Sequence, residues 1–426
     1  MGPGCNEGKR WDQITCPEVI TFKHSKMKSF FSFKTNPYLA VYLIFSMLIL
    51  YMINHVFNGR FVLYDFQVYY TAAGRILDGQ NLYQISSDGH NFFKYSPVSA
   101  VYFIPLSLFP PVVAKVIYWL ASSLAFCYVI ILFYCMGDPN KTIISARRQN
   151  LMYLITFICL GAFLELEIHL GQVNVFILIL LVTSAYCSLN NRPLISGLLL
   201  SISVFLKPFG LIFLAWYLYR MKFRESLYFL LFIIVLFFLP LVFYPSFEMF
   251  FEQSRLWIQE IQIEMSNKQN LLAHYNHTVF SVLARYTPLR WIEWTALRTL
   301  VFQLGVLVMF AILFILLRIN NKKGEDLFPS EFALVLCLIP LLAHTNKNLY
   351  LFSGMVNAVL LIRFVNLNWI YRSFFIFGIL ISSFNIIEIW GDTITFKLEA
   401  WSFIALGTMI SWFVLYISTF QRLVKE

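Results

Sequence analysis

The chain has 426 residues, 59% of them hydrophobic and 18% aromatic, and only 13% charged; its mean hydropathy is +0.70. No soluble domain buries that much apolar surface, and apolar runs of the roughly 17–25 residues needed to cross about 30 Å of hydrocarbon recur from residue 38 onwards. The net charge of +10 is not a nucleic-acid signal, because Lys and Arg fall in short loops of the kind that face the cytoplasm.

These features predict an all-α polytopic protein whose partners include membrane lipids and no nucleic acid. A β-barrel would show short alternating strands instead. The seven cysteines carry no CxxC spacing, and five of them (Cys127, Cys135, Cys159, Cys187 and Cys337) lie in or at the ends of apolar runs. Neither a disulfide framework nor a zinc site is expected.

Residues 1–37 read as a basic cytoplasmic tail without a signal peptide, ahead of a membrane domain over 38–426. The opening MGPGC has Asn6 where a myristoylation signal wants Ser or Thr. A first span is predicted over 38–57, and residues 60–97 form the first outer loop. Within that loop Phe66, Tyr69, Tyr70, Ala73, Ile76 and Leu77 recur at spacings of three and four, one face of an amphipathic helix. Asp65 falls at its N-cap position and Asp78-Gly79 closes it.

Residues 98–109 are apolar but too short to cross, with prolines at 105, 110 and 111, which predicts a re-entrant or interfacial piece. Spans follow over 112–136, 149–164 and 173–190. The run 194–220 is interrupted by Lys207-Pro208, and two short helices meeting at Lys207 on the outer side are expected. A span over 226–244 opens the longest polar loop, 245–296. Further spans lie near 297–318, 327–343, 349–364, 370–388 and 399–419. The expected total is about twelve crossings with both ends cytoplasmic.

This layout puts nearly every unusual polar residue at the outer face: Asp65, Glu165, Glu167, His169, Gln172, Asn174, Lys207, His274, Asn276, His277, Arg285, His344 and Lys347. Ionisable groups at membrane depth are costly and mark sites or cavities. An outer cavity sunk below the bilayer surface is therefore expected. Duller roles compete with this reading. Asp65 can be a helix cap, Glu165 and Glu167 the solvated ends of spans, and Arg285, His344 and Lys347 interfacial anchors. Glu165 and Glu167, two residues apart, do not share a helix face, and His169 and His277 have no i, i+4 partner for zinc. Lys207 lies inside an apolar run and needs an anion or a cavity. Asn276-His-Thr forms an N-glycosylation sequon on an outer loop, meaningful only in a eukaryote.

A carboxylate beside lysines and arginines, in a cavity open to lipid, suits transfer from a lipid-linked phosphosugar. The cations would hold the phosphate and stabilise it as it leaves, and the aspartate would deprotonate an acceptor hydroxyl. No glycine-rich phosphate loop points to a nucleotide donor.

Four stretches carry a family resemblance: YDFQVYYTAAGRILDGQNLY at 64–83, FKYSPVSAVYFIPL at 93–106, HLGQVNVFILIL at 169–180 and LKPFGLIFLAWYLYR at 206–220. A looser likeness lies in NHTVFSVLAR at 276–285 and in the 344–353 turn. Through them the chain resembles the GT-C superfamily of membrane glycosyltransferases, and within it glycosyltransferase family 87, which includes polyprenyl-phosphate-mannose-dependent α-mannosyltransferases. The resemblance implies a GT-C-type fold with short or re-entrant helices lining an outer cavity. It implies an inverting enzyme that moves a hexose, with mannose the expected sugar, from a polyprenyl-phosphate donor to a lipid-linked or cell-surface glycan acceptor. The setting it implies is cell-envelope glycan biosynthesis at the periplasmic or extracellular side of a bacterial plasma membrane.

Residue by residue, the resemblance implies Asp65 as the catalytic base, Gln172 and Asn174 as a GQxN element, and Lys207-Pro208 near the donor phosphate. Arg285 and Lys347 are expected to share that phosphate. Tyr69, Glu165, Glu167, His169, Asn276, His277 and His344, with Gln172 and Asn174, are expected to contact substrate. His277-Thr278 stands where the family commonly has Gln-Ser, and the family's tryptophan is missing from HTNKNLYLF at 344–352. Some GT-C enzymes use a divalent metal, for which Glu165 and Glu167 are the candidate ligands. Alternatives are a flippase or transporter of lipid-linked sugars, which should show polar groups on both sides of the midplane and a pseudo-repeat, and a glycan polymerase or ligase.

Overall fold

In hydrocarbon a backbone must satisfy its own hydrogen bonds, so apolar runs of this kind close into helices. The computed structural model describes residues 32–84, 88–89, 92–138, 145–266, 270–321, 326–344 and 346–425. Most of the tail expected over 1–37 lies outside them. Among the described residues there is no strand.

In chain order come α1 (Leu39–Phe57), α2 (Tyr64–Leu77), α3 (Pro97–Tyr102), α4 (Ile104–Ser107), α5 (Pro111–Gly137), α6 (Ala146–Leu170) and α7 (Asn174–Leu189). Then follow α8 (Pro193–Leu206), a 3-10 turn (Pro208–Gly210), α9 (Leu211–Tyr219), α10 (Phe223–Phe237), α11 (Phe247–Ser266) and α12 (Val279–Tyr286). The chain ends with α13 (Ala296–Asn320), α14 (Phe328–Leu342), a 3-10 helix (Lys347–Ser353), α15 (Gly354–Arg363), α16 (Trp369–Ser383), α17 (Ile387–Ala400) and α18 (Phe403–Lys425).

Seven stretches are long and apolar enough to cross a membrane: Leu39–Phe57, Pro111–Gly137, Ala146–Leu170, Phe223–Val242, Leu300–Asn320, Lys347–Asn366 and Phe403–Val424. They mark an integral membrane protein. The expected dozen is not matched by a dozen full-length helices, because Asn174–Leu189, Pro193–Leu206, Pro208–Tyr219, Phe328–Leu342 and Trp369–Ser383 are apolar but shorter. Phe223–Val242 and Leu300–Asn320 are the least enclosed, each 22% buried. They expose Leu227, Ile234, Val301 and Val308, an apolar outer face that lipid must cover.

Three local features position the site. The first is α2, which buries Phe66, Tyr69, Ala72, Ala73 and Ile76; of the face its spacing predicts, Tyr70 is half-buried and Leu77 at the end is exposed, and Tyr69 stacks on Phe103 with ring centres 4.7 Å apart. The helix starts earlier than the sequence suggests. Leu63, left-handed at φ 51°, is the N-cap, so Asp65 lies inside the first turn and is not the cap.

The second is the break at Lys207-Pro208. Proline cannot donate to the helical ladder, and α9 folds back beside α8. Tyr217 OH on α9 lies 3.0 Å from Ser196 Oγ on α8. A Cβ on Gly210 would fall 2.5 Å from Ser203 Oγ, so this tight hairpin requires glycine. The third is the stretch 245–296. Read as a polar loop, it instead folds α11 and α12.

Candidate active site

The site is built on the turn between α6 and α7. Gly171 ends α6 in the left-handed conformation, φ 71°. A Cβ there would lie 2.8 Å from Phe66 Cβ and 2.9 Å from Leu63 Cβ. Only glycine lets this turn and the start of α2 approach so closely. Tyr118 OH on α5 clamps the turn from the other side, donating to the Gln172 carbonyl at 2.7 Å.

Gln172 is thereby set against Asp65. Its Nε2 donates to Asp65 Oδ2 at 2.6 Å, and its Oε1 accepts from Lys207 Nζ at 2.9 Å. The same ammonium donates to Asn174 Oδ1 at 2.9 Å. Asn174 Nδ2 donates to Glu167 Oε2 at 2.8 Å, as does Asn348 Nδ2, also at 2.8 Å. Glu167 Oε1 takes the Val175 N–H at 3.0 Å. One chain of hydrogen bonds thus runs from Asp65 through Lys207 to Glu167.

Gln172, Asn174 and Lys207 line a cavity of about 350 Å³ together with Lys94, Tyr275, His344, Asn346 and Asn348. Beside it Pro208, Phe209, Ile212, Leu338, Ile339, Leu342 and Ala343 form an apolar groove of about 220 Å³. The two meet at consecutive residues: Lys207 and His344 face the cavity, while Pro208 and Ala343 face the groove. An ammonium has three N–H donors; with two on the amides, the third is left for a ligand in the cavity.

Burial raises the Asp65 carboxyl from its ordinary value, against the Gln172 hydrogen bond and the charges of Lys207 and Lys94, which pull it back down. The result is a stronger base than a solvated aspartate. Among the described residues no other hydrogen bond reaches Asp65, so Oδ1 can accept a proton from an incoming hydroxyl.

The remaining expected residues lie elsewhere, apart from His344. Tyr69 is buried in aromatic packing with Phe103 and Tyr95. Glu165 and His169 turn towards α1: Tyr51 OH donates to Glu165 Oε1 at 3.0 Å, and the His169 ring lies 5.5 Å from that of His55. Glu165 and Glu167 therefore serve different neighbours. Among the described residues no three His, Cys, Asp or Glu could hold a metal ion. With both Glu167 oxygens already filled, the Glu165–Glu167 pair does not fit a divalent cation.

Asn276 is 0% exposed, and its Oδ1 accepts from Thr278 N and Thr278 Oγ1 at 3.2 and 2.9 Å. It shapes the start of α12, and a side chain so enclosed is no acceptor for a glycan in this fold. His277 is buried beside it, and burial, aided by Arg285 and Lys347, pushes its imidazole down to about 3. Arg285 donates to the Ala273 and Glu399 carbonyls and to Ser402 Oγ. Lys347 Nζ pairs with Glu399 Oε1 at 3.1 Å. The structure does not bring these two cations to Lys207, and neither lines the cavity.

The sequence does not single out Lys94, Tyr275, Asn346 or Asn348. Lys94 carries a signal, as the sole Lys or Arg between Arg75 and Lys115. The other three reach the cavity only through tertiary folding.

No curated protein and no solved structure gives a match to the chain. A family model does match over residues 92–284. That stretch holds Lys94, Glu167, Gln172, Asn174 and Lys207, while Asp65 precedes it and His344 and Asn348 follow it. The matched family is glycosyltransferase family 87, and this relationship implies that the chain is a glycosyltransferase.

Proposed function

We propose that this chain is an inverting, GT-C-type glycosyltransferase. It moves one hexose, with mannose the first sugar to test, from a polyprenyl-phosphate carrier to a hydroxyl of a lipid-linked or cell-surface glycan, on the extracytoplasmic side. The observation that carries the donor class is the joint at Lys207-Pro208. A polyprenyl-phosphate sugar joins a polar sugar to an apolar chain through an anion. Here a cation stands where a polar cavity gives way to an apolar groove. A nucleotide sugar would leave the groove without a purpose.

The sidedness is supported by where the basic residues fall. Helix α6 runs from Arg147 and Arg148 towards the site, α7 from the site towards Arg192, and α9 from the site towards Arg220. Basic loop residues favour the cytoplasm, so the cavity end faces away from it.

In this reading the phosphate meets the third N–H of Lys207, with Lys94 across the cavity, and the sugar lies among Tyr275, His344, Asn346 and Asn348. Asp65 takes the acceptor's hydroxyl proton as that oxygen attacks the anomeric carbon. The bond from that carbon to the phosphate oxygen breaks, and polyprenyl phosphate leaves with its charge compensated by Lys207. A single displacement inverts the anomeric centre, so a β-linked donor gives an α product.

The test is to give the purified protein in nanodiscs a panel of polyprenyl-phosphate hexoses and glycolipid acceptors. The expected result is release of polyprenyl phosphate with an acceptor heavier by one hexose. Donors that cross a vesicle membrane intact, with no release from any member of the panel, would replace transfer by flipping.

A further inference from the structure

We infer that Glu167 is a positioning residue that fixes the direction of the Asn174 amide and through it holds Lys207 in place against Gln172; the inference rests on the site proposed above. Glu167 is 1% exposed. Its two oxygens are filled by the Val175 N–H and by the amides of Asn174 and Asn348. Contact with substrate is therefore closed to it.

The direction follows from donor and acceptor chemistry alone. An ionised carboxylate only accepts hydrogen bonds, and an ammonium only donates them. Asn174, wedged between the two, must give its NH2 to Glu167 and its oxygen to Lys207. Lys207 must then face the oxygen of Gln172, which leaves Gln172 its NH2 for Asp65. Glu167 thus fixes Asn174, Asn174 holds the ammonium, and the ammonium keeps the Gln172 oxygen to itself, so that a donor meets Asp65. Such chains are worth more intact than their single bonds suggest.

Glu167→Gln keeps the shape and destroys this logic. Whichever way the new amide turns, its NH2 faces another donor, either the Val175 N–H or the NH2 groups of Asn174 and Asn348. If Asn174 flips to relieve the clash, it offers NH2 to Lys207 and expels the ammonium. Adding Asn174→Asp restores the hold on Lys207: the glutamine NH2 donates one hydrogen to the new carboxylate, which accepts from Lys207 as the asparagine oxygen did, and the other to Asn348, whose amide turns its oxygen inward.

The experiment reads Lys207 directly. Full-length protein in nanodiscs is treated with formaldehyde and a borohydride, and methylation of the Lys207 peptide is followed by mass spectrometry, with a melting curve to establish folding. In Glu167→Gln, Lys207 should be methylated about tenfold faster than in wild type, the loss expected of one charge-assisted hydrogen bond. In Glu167→Gln/Asn174→Asp the rate should return to within about twofold of wild type. Asn174→Leu, which has no amide to flip, should also free Lys207, and serves if Glu167→Gln does not fold.

Where transfer is measured, the acid limb of kcat in Glu167→Gln should move to higher pH, because Gln172 and Lys207 both hold Asp65 down. A merely structural glutamate would not move that limb. Wild-type labelling in folded Glu167→Gln or Asn174→Leu overturns the inference, and so does a double variant that labels as fast as Glu167→Gln. Sugar transfer on the same samples separates the two readings. An inactive wild type with the labelling pattern intact defeats the proposed reaction alone. An active wild type with flat labelling defeats the positioning role alone.

Discussion

Lys207 and Lys347 lie on the same side of the molecule and are held in opposite ways. Lys207 is gripped by two neutral amide oxygens at 2.9 Å, with its carboxylate neighbours one amide further away. Lys347 rests directly on the Glu399 carboxylate at 3.1 Å, and nearby Arg285 spends its donors on Ala273, Ser402 and Glu399. Amides fix an ammonium in place without cancelling its charge towards a third group, whereas a carboxylate in contact largely does cancel it. The first arrangement presents a cation to a ligand. The second ties α12 and the turn before α15 to α17, and so builds the wall that Tyr275 and His344 present to the cavity.

The comparison is broken most severely at its acidic end. Asp65→Asn keeps an oxygen for Gln172 and should leave the melting curve in place. It should lower kcat/KM by about 10³- to 10⁴-fold, the upper range for loss of a general base. Transfer by Asp65→Asn at the wild-type rate would remove Asp65 from the chemistry. Lys207→Met should follow, with a loss of about 10²-fold in donor kcat/KM, as for removal of one preorganised donor at a charged leaving group. Neither effect should be shared by the second cluster, and steady-state kinetics on all the variants checks this.

Parts of this arrangement are legible in the sequence. The buried face of α2 shows in its three–four spacing, and the hairpin at Lys207-Pro208 shows in a charge beside a residue that cannot continue a helix. Both are local signals. The position of Asp65 is not local: Leu63 becomes the N-cap because the segment packs against Gly171, far along the chain, and that moves Asp65 into the first turn. Charge type alone grouped Arg285 and Lys347 with Lys207, and nothing short-range reveals that Glu399 takes Lys347. That Glu165 and Glu167 serve different neighbours follows from their two-residue spacing, but which of them supports the site does not. Hydropathy likewise cannot separate a full crossing from a short apolar helix folded into a hairpin, as α8 and α9 are.

Intermediate in size is the pH dependence. Burial raises the Asp65 carboxyl, and in the role proposed for it the carboxyl works only when ionised. Transfer should therefore be present above its apparent pKa and fall as the pH drops through it, with the acid limb shifted upward from that of a solvated aspartate. His277, pushed down to about 3, stays neutral throughout and should not add a second limb. A pH profile of kcat that stays flat down to pH 4 would remove Asp65 as the titrating base. Arg285→Met comes next. It strands the carbonyls of Ala273 and Glu399 and the Ser402 hydroxyl, and should cost about 2–3 kcal/mol of stability, seen as a lowered melting temperature. Donor KM should stay within about threefold of wild type.

The smallest effect is assigned to Lys347→Met, and it tests the comparison most closely. The pair it breaks is largely enclosed, with side chains 15% and 9% exposed, so Glu399 cannot rely on water for compensation. It keeps one donor, Asn385 Nδ2 at 3.2 Å. The expected loss of stability is about 1–2 kcal/mol, between the values for exposed and fully buried pairs. Lys347→Met/Glu399→Gln should recover most of it, because the stranded charge goes with its partner. Donor KM should hardly move in either variant. If instead Lys347→Met raised donor KM as far as Lys207→Met does while the melting temperature held, Lys347 would be a phosphate ligand whose pairing with Glu399 gives way when the donor arrives, and the division between a presenting cation and a bracing one would fail.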